Sequence, residues 1–138
     1  MNPVHEQVVL ESRAQWRRWL IENHATVTGV WAVTWKKATG RPAPSYEDLV
    51  EEAVCVGWVD SMRRALDEGR SQLLFTPRRV RSPWAASNVA RVARLTRAGL
   101  MLPAGLAAVE AAKADGRWPV ADPDDEAGGQ PPLSTVNV

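Results

Sequence analysis

The chain is poor in the residues that most chemistry depends on: among its 138 residues it has one cysteine, two histidines, one tyrosine and one phenylalanine. A lone cysteine, Cys55, forms no internal disulfide and fits a reducing cytoplasm. His5, His24 and Cys55 are the whole imidazole and thiol inventory, and no pair has ligand spacing, so neither a metal nor another cofactor is expected. A Ser/His/Asp triad is unsupported, because there is no GxSxG elbow and His24 falls in a helix-to-strand connection. The one paired glycine, in "DEAGGQ", precedes no helix, which argues against a phosphate loop. Apolar runs stay far below the roughly 18 residues a membrane span needs. The opening "MNPVHEQVVLE" lacks a basic region followed by an apolar core, so secretion is not expected. No internal repeat is present.

Tryptophan and segregated charge are what the sequence does have. Seven tryptophans accompany an apolar fraction of 45% and a charged fraction of 24%, the balance of an ordinary globular domain. This length makes one domain that buries roughly two-thirds of the surface its unfolded chain exposes. The net charge of +1 conceals three blocks. Residues 1–62 carry −2. Residues 63–97 hold nine arginines against Asp67 and Glu68, a net +7, and residues 98–138 carry −4. The middle block is a basic module with acidic flanks.

Periodicity predicts an α+β fold: a small antiparallel sheet of about three strands packed by four helices. Ser12 caps a short helix with Trp16, Trp19 and Leu20 on one face. "GVWAVTWKK" alternates as a half-buried strand over about 30–36. Ser45 and Asp48 approximate a capping box for a helix from Tyr46 to about Gly57, whose last turn is apolar all round. A turn at "DEG" joins two extended segments, about 61–66 and 71–76, into a hairpin. Ser82 and Pro83 suit the N-cap and first position of a helix running to about Ala98, and "LPAGLAAVEAAKADG" supplies the last helix. The domain spans 1–118, and residues 119–138 form an acidic Pro/Gly-rich tail with the composition of a disordered segment.

The stretch "FTPRRVRSPW" offers the clearest chemistry. Arg78, Arg79 and Arg81 lead directly into the expected helix start, where free N–H groups and the helix dipole favour an anion. Arg63 and Arg64 on the hairpin can approach the same corner, and guanidinium forks match phosphate or carboxylate. Two other readings stand beside an anion site: the plainer one, pairing with the acidic tail or with Glu51, Glu52 and Asp60, and attachment to nucleic acid through the 63–97 module. Asn88 lies inside an apolar helical arc with Trp84 and Arg91, so it either pins backbone or points into a pocket. Asp60 is the single carboxylate after "VCVGWV" and the one candidate general acid or base, with Trp58 beside it as an aromatic wall. Cys55 reads as a buried small hydrophobe.

The set "GWVDS", "FTPRR", "SPW…N..RV..L" and "G.M.P.G", with "WRRWLIENHATVTGVWAV" before it, resembles the YdeI/OmpD-associated, or bacteriocin-protection, family over about residues 10–118. That resemblance implies a small α+β domain, a bacterial cytoplasmic setting and a link to tolerance of bacteriocins and cationic antimicrobial peptides. It implies no established reaction. Two departures are plain: many relatives carry a further small domain before this one, and an aromatic where this chain has Ser71 to Leu74.

Three functions therefore compete. The first is a ligand-binding protein of the bacteriocin-protection type, taking a small anionic or aromatic ligand between Trp58, Trp84, Asn88 and the arginines Arg63, Arg78, Arg79, Arg81 and Arg91. The second is a cofactor-free enzyme acting on a small metabolite with Asp60 as acid/base. The third is nucleic-acid binding by the basic module.

Overall fold

The computed structural model describes residues 5–79 and 82–119. It is a single α+β domain of a four-stranded mixed sheet and four helices: β1 (Gln7–Val9), α1 (Arg13–Asn23), β2 (Val30–Trp35), α2 (Tyr46–Cys55), β3 (Trp58–Ala65), β4 (Arg70–Pro77), α3 (Ala86–Arg97) and α4 (Pro103–Ala114). A single 3₁₀ turn, Lys37–Thr39, lies between β2 and α2. The strand order is β1-β2-β4-β3. No helix among the described residues is long and apolar enough to cross a membrane. The expected acidic tail, from residue 120 on, lies outside the described residues.

Local chemistry explains most of the elements. The Ser12 side chain accepts from the Gln15 N–H to cap α1. At α2 the capping box is complete, with Ser45 accepting from the Asp48 N–H and Asp48 from the Ser45 N–H. In the hairpin turn the Asp67 carboxylate accepts from the backbone N–H groups of Gly69 and Arg70, which fixes the register of β3 on β4.

Two expectations are corrected. The sheet is not purely antiparallel with three strands, because β1 joins β2 in parallel, pairing Val8 with Ala32. Three residues are too short to show a period, and β1 is held by its neighbours: Leu10 N–H donates to the Val33 carbonyl (2.9 Å) and Leu10 is fully buried. Secondly, Ser82 and Pro83 do not begin α3. The helix starts at Ala86, and Ala85 occupies the cap without a side-chain bond. Burial of Trp84 explains the shift. Its ring packs on Trp118 (5.3 Å between centroids), and this holds the segment extended before the helix.

The helices cover one sheet face. Val30, Ala32, Leu73, Phe75 and Trp58 enter the core with Trp16 and Leu20 of α1 and Leu49, Val50, Ala53 and Val54 of α2. Trp16 meets Phe75 at 5.2 Å and Trp19 meets Trp58 at 6.2 Å, so both α1 tryptophans reach the sheet. The buried Trp16 indole donates to the Leu49 carbonyl, satisfying its one polar atom. The alternation along β2 holds, but its core side is Val30 and Ala32. Trp31 and Trp35 belong to the opposite face, half-buried, with guanidinium groups lying over their rings: Arg64 over Trp31 at 5.3 Å and Arg41 over Trp35 at 4.1 Å.

Candidate functional site

The candidate site is the corner where β4 leaves the sheet. Pro77 pairs with Trp58, and the Arg78 N–H donates to the Gly57 carbonyl (3.2 Å), so the chain is pinned against the start of β3 as it turns. The Ser82 N–H then donates to the Arg79 carbonyl (3.0 Å), which brings together the two ends of the arginine loop. The Arg78 guanidinium consequently folds inward over the Trp84 ring, 4.1 Å from its centroid. Its Nη2 donates to the Pro83 carbonyl (2.8 Å), whereas Nε and Nη1 are buried and meet no acceptor among the described residues.

The electrostatics of this corner are unbalanced. Burial, and then Arg117, push the Arg78 pKa down, opposed by Asp60. Arg117 is 15% exposed; its Nε donates to Asp115 (2.7 Å) and its Nη1 to the Ser82 carbonyl (3.2 Å), which ties the end of α4 to the arginine loop. No carboxylate among the described residues is within ion-pair distance of Arg78 or Arg79. A cavity of about 340 Å³ opens here, lined by Trp58, Gly57, Arg78, Arg79 and Arg117, with Ala104, Ala108 and Ala111 of α4 as its floor. Small residues keep that floor low. Gly57, at φ +79°, stands where a Cβ would come within 3.1 Å of Ala108.

The residues singled out in the sequence divide between this corner and two other places. Trp58, Arg78 and Arg79 line the cavity and Trp84 lies beneath Arg78. Asn88 and Arg91 are elsewhere. Arg91 forks onto Glu47 through Nε and Nη2 (2.8 and 2.9 Å) and donates to the Asn88 side-chain oxygen (2.8 Å). Arg91 belongs to a chain of ion pairs in which Arg13, Arg17, Arg91 and Arg94 clamp the acidic face of α2, and Asn88 is attached to that chain through Arg91. Arg63 lies over the Tyr46 ring at 5.5 Å, and Asp60 accepts a hydrogen bond from the Tyr46 hydroxyl (3.0 Å). Arg81 lies outside the described residues.

Arg117 was not legible from the sequence. It sits 39 residues after Arg78 at the end of a helix, and the nearest hint was the tight turn implied by "ADGRW". Nor did the pattern reveal that Ser82 and Pro83 would turn carbonyls, not a helix N-terminus, toward the guanidinium groups.

The fold and its site thus define a compact α+β domain with a buried, incompletely paired arginine at the sheet's exit corner. By sequence the chain belongs to a family described as a domain of unknown function, DUF8412, whose pattern matches residues 8–108. No curated protein and no solved structure matches it.

Proposed function

We propose that this protein binds a small anion at the Arg78 corner, and that Arg78, Arg79 and Arg117 hold the charged group while Trp58 and the α4 alanines enclose the rest. One observation carries the reading: Arg78 is buried with two N–H groups lacking a protein acceptor among the described residues. Buried donors are satisfied in native proteins, so such a group calls for a partner. A second guanidinium beside it favours an anion over a neutral acceptor. Arg79 is exposed and makes no side-chain hydrogen bond among the described residues, so it can swing over an anion once bound.

The resemblance to bacteriocin-protection proteins gives this activity a setting, the bacterial cytoplasm, and a use: sequestering a toxic or signalling compound that carries phosphate or carboxylate. Thermal denaturation in phosphate, sulfate and chloride at matched ionic strength tests the reading. Binding to the folded state raises the melting temperature in phosphate or sulfate above that in chloride. Equal melting temperatures in the three salts would reject it. The segment beyond residue 119 supplies the counter-test. If its removal destabilises the domain and no anion restores the loss, the arginines were paired with its carboxylates.

A further inference from the structure

Behind the Arg78 corner lies the sheet face that no helix covers. Its concavity, about 1120 Å³ and shallow, is lined only by strand and loop residues. Trp31 of β2, Leu74 and Thr76 of β4 and Val59 of β3 form its floor; Arg64, Arg78 and Arg79 form its rim. Met62, 45% exposed, adds an apolar side chain to the same face. No carboxylate is among the described residues that line it. Arg64 makes no ion pair among the described residues, and its guanidinium is parked over Trp31.

We propose that this open face binds single-stranded nucleic acid, a base stacking on Trp31 while Arg64 and Arg79 contact successive phosphates. Three features point to that occupant. The charge is of one sign and calls for a polyanion. The floor carries an indole with the apolar Leu74 and Val59 beside it, which suits the π-face of an unpaired base and not the ribbon of phosphates that a duplex presents. The length also fits. From Leu74, which pairs with Trp31, to Arg78 the strand advances about 13 Å, more than one nucleotide occupies and less than a folded structure would need. Guanidinium groups also stack on bases, so Arg64 can stay above the indole and present its own plane, or rotate out and yield the ring. This goes beyond small-anion binding at the corner. The two surfaces share Arg78 and Arg79, whereas Trp31 and Arg64 line only the open face and Arg117 only the corner.

Fluorescence anisotropy with a labelled oligothymidylate of about twelve nucleotides tests it. The intact chain should bind the single strand more tightly than the same length of duplex. Trp31→Ala should weaken binding about tenfold and Trp31→Phe much less. Arg64→Ala should lower the slope of log affinity against log salt by about 0.7, the loss of one phosphate contact. Circular dichroism and melting temperature establish that each variant is folded. Should Trp31→Ala unfold the domain, the comparison of Trp31→Phe with Arg64→Ala decides alone. Arg117→Gln should leave oligonucleotide binding unchanged while removing the phosphate-dependent rise in melting temperature, so the two proposals fail separately. Binding of duplex or polyglutamate as tight as the single strand would overturn the inference, as would a Trp31→Ala variant that is folded and binds normally.

Discussion

The Arg78 guanidinium lies 4.1 Å from the centre of the Trp84 ring, buried with a single hydrogen bond where it has donors for five. Stacking on an indole compensates a buried cation only in part, and Arg117 adds repulsion. Replacing such a group with an apolar one of similar length removes an unpaired buried charge, a change that is often neutral or stabilising. We therefore expect Arg78→Leu to keep or raise the urea midpoint in chloride while abolishing the response to phosphate. A variant destabilised by about 2 kcal/mol or more would mean that Arg78 is structural.

Of the described glycines, Gly105 leaves the least room for a side chain. A Cβ there would lie 2.1 Å from the Cys55 carbonyl oxygen, the same oxygen that accepts from the Leu102 N–H (3.1 Å). Gly105→Ala must push α4 off the end of α2, at a cost of about 3 kcal/mol. Equilibrium unfolding in urea measures it, and a cost below about 1 kcal/mol would contradict this packing.

Cys55 beneath that contact should be inert. It is fully buried, and burial together with nearby Glu52 pushes its thiol pKa up. Native protein at neutral pH should be labelled by a thiol reagent only as fast as it opens, and Gly105→Ala should speed the reaction. Rapid labelling of the unsubstituted chain would revive a nucleophilic role.

Glu52 is 3% exposed and receives hydrogen bonds from both Arg13 and Arg17 of α1, and Arg17 reaches on to the Leu100 carbonyl (2.9 Å). Removing the carboxylate leaves two guanidinium groups facing a buried gap. Glu52→Ala should cost about 3 kcal/mol, the low end for a broken buried pair because the arginines are partly solvated. Loss of α1 docking should show as a red shift of tryptophan emission, since Trp16 and Trp19 are both on that helix.

Acid should weaken the α2–α3 contact through Glu47. The hydrogen bond from Arg91 holds its carboxyl below the ordinary value of 4.5, and the coulombic pull of Arg91 and then Arg94 adds to that. A carboxyl with a depressed folded pKa stabilises the fold above its unfolded pKa. That contribution fades as pH falls through the folded value. The urea midpoint should therefore drop below about pH 4.5, and Arg91→Met should flatten that part of the profile. An unchanged profile in Arg91→Met would show that the fork carries no pH-linked stability.

How far the sequence could be read depended on the range of the interaction. Ser12, Ser45 with Asp48, and Asp67 act on backbone two or three residues away, and each did so where its spacing placed it. Elements set by distant contacts leave no such mark in the local sequence. β1 exists because β2 pairs with it, and α3 starts late because Trp84 is drawn under Arg78 and against Trp118. The periodicity puts Asn88 and Arg91 on α3, but whether they face a pocket or Glu47 depends on how α3 docks on α2, which no local pattern encodes. The arginine corner was visible as a charge run between two prolines; its partner Arg117 was not.

The most direct measurement is of the Arg78 Nε–H itself. Its resonance in a ¹H–¹⁵N spectrum can be assigned by its disappearance in Arg78→Leu and followed while phosphate is added to the intact chain. Anion binding here should give a saturable downfield shift of that resonance, as an enclosed N–H gains an anionic acceptor, with the Nε–H of exposed Arg41 unmoved. A resonance that stays in place, or moves in step with Arg41, would contradict anion binding at this corner.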